Sequence, residues 1–515
     1  MAGRAQPVSP WPGAGAAALV AALILGTLAA VALRADTSAG FGPADWAALR
    51  FTLVQAVLSA VFSVALAIPV ARALARRRFP GRRALIALLG APFILPVIVA
   101  ILGLLQVFGR AGWISDVLGL FGLSPLRIYG LHGVVLAHVF FNLPLATRLI
   151  LQAWQEIPAE RFRLAAQLGC DGIAMFRLIE LPMLRRILPG VLAVIFAICL
   201  TSFAVALTLG GGPRATTIEL AIYQAFTYDF DLGRAALLSA LQLALTVAAA
   251  LAALKFSQGD GFGAGLDRAI RRWDGGSPLF DVFWIGAAAA FLLLPLAAVV
   301  ISGFAGLFEM PALVFRAALI SVLVAAASTA VLLLLALPMA TAVATGRYGI
   351  VELCGILGLA ASPLVIGTGL FILIRPVANP TTLALPVTAL VNAVMALPFA
   401  LRILVPAARD VVSRHGRLAL SLGMEKKTFF TRVLLPRMRP QIRFAAGLSA
   451  ALSMGDLGVI ALFADPQIAT LPLQIYRLMG AYQMQAAAGA ALLLLLLSMG
   501  AFWLLDRGGR LHAET

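Results

Sequence analysis

The chain has 515 residues, 62% hydrophobic and only 12% charged, with a mean hydropathy of +1.00. Its apolar residues fall in blocks of about twenty, the length that crosses a bilayer as a helix, which excludes a soluble globular chain. The net charge of +17 does not indicate nucleic acid, because about 30 of the 39 Lys+Arg fall in alternate loops, as the cytoplasmic loops of a polytopic membrane protein do.

In chain order, a short tail over 1–15, with Arg4 its one basic residue, precedes an apolar block at 16–34. The A-V-A-L-R-A-D that ends this block is loosely cleavage-like, but its length favours an uncleaved span. Apolar blocks follow at 51–72, 84–106, 131–153, 187–208 and 234–255, then at 280–303, 315–342, 350–374, 382–404, 443–463 and 485–505. The expectation is an all-α polytopic membrane protein of about 12 transmembrane helices, because lipid cannot satisfy free backbone groups. The loop Arg72–Arg83 reads R-A-L-A-R-R-R-F-P-G-R-R, which assigns it to the cytoplasm. Alternation then puts both termini, a linker at 256–279 and the polar loops at 154–186 and 405–442 on the same side.

The second half repeats the first. A shift of 254 lays Leu143-Pro144 on Leu397-Pro398, Arg148 on Arg402 and Gly169 on Gly423; a shift of 269 lays Pro69 on Pro338. T-I-E-L-A-I-Y from Thr217 resembles T-L-P-L-Q-I-Y from Thr470. An even number of spans per half makes the repeats point the same way, with a pseudo-two-fold axis along the membrane normal and a path between the halves. The halves are expected at 1–255 and 280–515. They are joined by the Gly-rich stretch Gly259–Gly276, whose Arg271, Arg272 and Trp273 suit a tether on the membrane surface.

The strongest repeat lies in the two polar loops. From Arg163 to Pro182 the chain reads R-L-A-A-Q-L-G, nine residues, then I-E-L-P; from Arg417 to Pro436 it reads R-L-A-L-S-L-G, nine residues, then V-L-L-P. A linker has no need to repeat a glycine and a proline at fixed spacing, so these loops are read as docking surfaces. Pro158 suits the first turn of a helix and Gly169 its left-handed stop. A second helix is expected from about Asp171 to Leu181-Pro182, where proline disfavours continuation. Gly423 and Pro436 are expected to punctuate the second copy in the same way, giving two helix–turn–helix blocks. An amphipathic helix on lipid headgroups would also suit Arg161, Arg163, Arg414 and Arg417, but would not need two copies in register.

Gly-x9-[IV]-x-Leu-Pro resembles the coupling motif of permease subunits in binding-protein-dependent ABC importers. In that family the motif begins Glu-Ala-Ala; here Arg163-Leu164-Ala165 and Arg417-Leu418-Ala419 stand there, and the acidic residue is missing from both. The resemblance covers nearly the whole chain. Within the family, Thr201–Phe226, Ser453–Phe463 and Thr470–Gly480 resemble the thiamine permeases, while ferric-iron permeases share the fused layout and part of Gly-Gly-Gly-Pro-Arg. What this implies is a type I importer fold: two pseudo-two-fold six-helix halves, one fused chain replacing a permease dimer in the bacterial inner membrane. Thiamine or its phosphates would arrive from a periplasmic thiamine-binding protein, and two copies of a separate ABC ATPase would hydrolyse ATP-Mg. The coupling residues would be Arg163, Leu164, Ala165, Gly169, Leu181 and Pro182, with Arg417, Leu418, Ala419, Gly423, Leu435 and Pro436.

The chain carries no ATP site, cofactor site or catalytic constellation of its own in this reading. Gly210-Gly211-Gly212 is followed by no Lys-Ser, so it is not a nucleotide loop. Cys170, Cys199 and Cys354 are scattered, and the four histidines, among them His415 and His512, lack ligand spacing. Asp456 is the one carboxylate well inside a predicted span, a depth at which charge normally faces protein or water. Its repeat counterpart is Ser202, and both follow short polar runs, Thr201-Ser202 and Ser453-Met454-Gly455. Ser202, Ser453 and Asp456 are therefore the candidates for a substrate path, Asp456 offsetting the charge of a thiazolium; the alternative is that Asp456 caps a helix break beside Gly455 and Gly458. A secondary transporter would show several such carboxylates and no docking repeat. A channel or scaffold would not need paired coupling loops.

Overall fold

The computed structural model describes residues 8–36, 38, 40–90, 94–210, 212, 215–256, 278–346, 349–463 and 468–510. The tether with Arg271, Arg272 and Trp273 lies outside them, as do Arg4, Gly211, Pro213, Arg214 and His512. Every regular element among the described residues is helical, as a chain built from apolar blocks in lipid requires. The first half contains α1 (Trp11–Arg34), α2 (Pro43–Arg76), α3 (Val97–Phe108), α4 (Leu131–Glu156), α5 (Ala159–Gln167), α6 (Leu181–Leu200), α7 (Phe203–Leu209), α8 (Ile218–Thr227) and α9 (Leu232–Phe256). The second contains α10 (Pro278–Gly306), α11 (Ala312–Ala344), α12 (Pro363–Ile374), α13 (Ala384–Ser421), α14 (Arg439–Met454), α15 (Gly458–Phe463), α16 (Leu471–Gly480) and α17 (Met484–Arg510).

Ten helices among the described residues are long and apolar enough to cross a membrane, against the twelve expected. Four expected spans are broken, and two of them, 350–374 and 443–463, leave no helix of spanning length. The block at 350–374 divides into Gly349–Ile356, a 3-10 turn and α12. There Ser362 caps α12, its Oγ accepting from the Val365 N–H at 3.2 Å, and Pro363 occupies the first turn. The block at 443–463 divides into α14 and α15 at Gly455-Asp456-Leu457. Summed hydropathy runs straight through such breaks, because a cap needs only one or two residues.

The repeat extends to single hydrogen bonds. The Ile218 N–H donates to Thr52 Oγ1 at 2.9 Å, and in the second half the Leu471 N–H donates to Ser321 Oγ at 2.7 Å. Each half opens with a helix that packs on the other half: α1 lies on α11 and α12, and α10 lies on α2 and α3 as well as on α17 of its own half. Glycines allow the close approach, since a Cβ at Gly369 would strike the Thr27 carbonyl and one at Gly103 the Pro295 carbonyl. At the end of α2, Arg77 Nε lies 2.7 Å from Asp281 Oδ2 at the start of α10. Between the halves, Phe203, Ile218, Ile222, Tyr223, Leu364, Val459, Phe463 and Leu473 form one buried apolar cluster.

Candidate coupling surface and substrate path

The two motif loops differ in how they begin. Ile157 precedes Pro158, which disfavours helical backbone there, so α4 ends at Glu156 and α5 starts at Ala159. Val411-Val412 occupy the matching positions in the second copy, and α13 runs unbroken through 38 residues to Ser421. The separate helix expected before Gly423 is therefore the end of a span.

They end alike. Gly169 has φ +72° and Gly423 φ +66°. The Gly169 and Cys170 N–H groups donate to the Ala166 and Ala165 carbonyls at 3.1 and 3.0 Å; Gly423 and Met424 donate to Leu420 and Ala419 at 3.1 and 2.9 Å. This is a Schellman stop in both copies. Asp171 Oδ1 then accepts from the Ala174 N–H at 2.6 Å and starts the next helix.

The stop expected at Leu181-Pro182 does not occur. A π turn over Phe176–Glu180 leads directly into α6, with the Leu181 N–H donating to the Phe176 carbonyl. Phe430–Leu434 does the same ahead of Leu435-Pro436. A π turn displaces the backbone ladder by one residue, and a proline that lacks an N–H and crowds the carbonyl four residues back is absorbed there. The first block is thus continuous with α6, while in the second a turn at Met438 separates Leu435–Arg437 from α14.

The two copies present matching faces. Ala165 and Ala419 are buried, whereas Arg163, Leu164, Arg417 and Leu418 are exposed, as are both glycines. Leu164 and Leu418 are each 58% exposed, and Leu168 and Leu422, one turn on, are 73% and 68% exposed. Leu181, Leu435 and Pro436 are half-buried, and Pro182 is exposed. Each copy thus bares two leucines on an otherwise polar loop. Sequence reading passed over Leu168 and Leu422, although their position one turn after the first leucine and just before the glycine was available.

A second feature went unseen. Arg72 Nε donates to the buried Glu180 Oε2 at 2.6 Å, and the Arg72 guanidinium lies 4.9 Å from the Phe176 ring centre. This pins the first block to α2 across 108 residues of sequence. In the second copy the buried Leu434 stands where Glu180 does, so an apolar contact replaces the ion pair.

The candidate path residues lie at the two matched breaks. In the first half, the Cys199 and Leu200 carbonyls freed at the end of α6 accept from Gln55 Nε2 and Gln242 Nε2, each at 2.9 Å. In the second, Asn392 Nδ2 donates to Ser453 Oγ at 3.0 Å, and Asp456 Oδ1 accepts from the Gly458 N–H at 3.2 Å. Asp456 therefore caps the restart of the chain with one oxygen. Its Oδ2 is enclosed and makes no well-aligned hydrogen bond, with the Asn392 amide the nearby donor. Ser453 and Asp456 belong to one cluster. Ser202, half-buried at the N-cap of α7, stands at the equivalent break, and among the described residues no hydrogen bond joins it to that cluster.

No family model matches the chain. It is similar to the thiamine transport system permease protein ThiP of Salmonella typhimurium, 40% identical over 535 residues covering 100% of both chains. The ThiP of Brucella abortus is 41% identical over 528 residues, 98% of this chain and 96% of the relative. A shorter likeness, 29% over 138 residues and 27% of this chain, joins it to the sulfate transport system permease protein CysW of Synechococcus elongatus. With end-to-end identity at this level, the chain belongs to the thiamine transport system permease family.

Proposed function

We propose that the chain is the membrane pathway of an ABC importer for thiamine or its phosphates. It takes substrate from a periplasmic thiamine-binding protein and releases it to the cytoplasm while two copies of a separate ATPase subunit hydrolyse ATP-Mg. The observation that carries this reading is the pair of glycine-stopped turns in one register, each baring two leucines and each continuous with a span. A push on either turn passes into the membrane without an intervening flexible joint. The substrate is supported by the relatives' names and by the stretches Thr201–Phe226, Ser453–Phe463 and Thr470–Gly480.

In this reading α5 and the end of α13 are the ATPase sockets, carried by Arg163, Leu164, Ala165 and Gly169 and by their counterparts. The basic loop after Arg72 faces the cytoplasm, and both termini lie with it. The chain supplies no catalytic group or cofactor of its own. Residues 1–255 and 280–515 act as two halves around one path. The test is reconstitution in proteoliposomes with the ATPase and the binding protein, where ATP-dependent thiamine uptake is expected. Uptake of ferric iron in its place would change the substrate. Uptake driven by an ion gradient without the ATPase would overturn the transport class.

A further inference from the structure

Glu219 belongs to the T-I-E-L-A-I-Y stretch, to which the coupling role assigns nothing. It stands in the first turn of α8, fully buried, and no well-aligned hydrogen bond reaches either carboxylate oxygen, although the Ser362 hydroxyl and the Gln242 amide stand close to it. Ser362 and Gln242 are the polar side chains that face it. Gln242 has already given its Nε2 to the Leu200 carbonyl, and its Oε1 is left without a partner, as is Gln55 Oε1. With Asp456 Oδ2, these make five enclosed acceptor oxygens that no donor meets in good hydrogen-bond geometry, with Ser362, Gln242 and Asn392 the nearby donors. A buried carboxylate in that state is costly unless a proton or a cationic ligand meets it.

The surroundings bring the two acids to one place. α8 packs against both α12 and α15. Ser362, at the head of α12, faces Glu219, while the next two residues, Pro363 and Leu364, lie 3.9 and 3.6 Å from where a Cβ on Gly458 would stand, beside Asp456 Oδ1. Glu219 and Asp456 therefore flank the same three residues, one acid from each half. Tyr223, one turn along the Glu219 face of α8, packs on Phe203 at 5.3 Å and Tyr228 at 5.9 Å between ring centres. At the other end of α12, Phe371 joins Phe226 at 4.4 Å and Phe463 at 5.5 Å, closing α8, α12 and α15 together.

We propose that Glu219 and Asp456 are the two acidic walls of a binding site for an organic cation, set between the halves at the head of α12. Excess acceptors match a cation that also carries N–H donors, and the tyrosine rings offer π faces to a flat cationic ring. The inference rests on the thiamine-importer reading and adds Glu219 to it.

The test uses the full transporter in proteoliposomes, with its ATPase and binding protein, and reads thiamine delivered per ATP hydrolysed. Glu219→Gln keeps the shape and removes the charge; a fall of about tenfold is expected. Glu219→Asp keeps the charge on a shorter arm and is expected to recover at least half of wild-type delivery. Unchanged delivery in Glu219→Gln overturns the proposal while leaving the thiamine reading intact. Failure of Glu219→Asp to recover, or loss of both variants from the membrane, overturns it as well by making Glu219 a packing residue. If the wild-type chain delivers no thiamine, the functional reading fails and takes the cation site with it.

Discussion

Arg72 and Glu180 meet at 2.6 Å with Glu180 fully buried, while the other repeat has Thr341 and Leu434 at the matching positions. Removing one partner of a buried pair leaves an uncompensated charge and costs about 3 kcal/mol; removing both is far milder. Glu180→Leu is therefore expected to lower the thermal midpoint of the purified chain, and Arg72→Thr/Glu180→Leu to restore most of it. A double variant no better than the single would mean the contact is not a charge pair. Asp456 divides its two oxygens between roles, Oδ1 capping α15 and Oδ2 enclosed without a well-aligned hydrogen bond. Asp456→Asn retains the cap and removes the charge. It is expected to insert normally and bind the ATPase while thiamine uptake falls. Normal uptake would remove its counter-charge role, and failure to accumulate in the membrane would leave only the cap.

At the scale of the element, the two candidate coupling turns depend on two glycines with positive φ, where a side chain adds strain of about 1–3 kcal/mol. A Cβ at Gly169 or Gly423 would meet nothing within 4 Å, so the effect of a substitution is backbone strain and not a clash. Gly169→Val and Gly423→Val are expected to yield membrane-resident protein that binds loaded binding protein but does not stimulate ATP hydrolysis. Gly169→Val is expected to be the milder, because the break at Ile157-Pro158 lets α5 shift, whereas Gly423 ends a helix continuous with its span. ATPase activity of the reconstituted complex at saturating loaded binding protein decides this. Wild-type stimulation in both variants would mean the turns do not couple.

For the whole molecule, the exchange of α1 and α10 makes each half incomplete by itself. α1 covers α11 and α12, and α10 covers α2 and α3, with helix backbones drawn close at Gly369 and Gly103. Fragments 1–262 and 263–515, expressed together, are expected to reassemble and transport. Either fragment alone is expected to be inactive and to aggregate through the apolar faces its missing partner would cover. Full transport by fragment 1–262 alone would contradict a single path shared by both halves.

The sequence by itself determined what local chemistry decides. Blocks of about twenty apolar residues dictate membrane helices, positive φ is cheapest at glycine, and so the stops at Gly169 and Gly423 and their register were legible in R-L-A-A-Q-L-G and R-L-A-L-S-L-G. Pro158 marked a real break, while its absence at Val412 joined two helices that symmetry alone would have separated. Summed hydropathy could not see where α6 and α14 break, because a capped interruption of two or three residues hardly changes a twenty-residue average. Tertiary structure alone decided the ion pair of Arg72 with Glu180, the crossing of α1 and α10 onto opposite halves, and the burial of Glu219 beside Ser362. Each joins residues more than a hundred positions apart, and no periodicity or spacing along the chain encodes which distant side chain a carboxylate will meet.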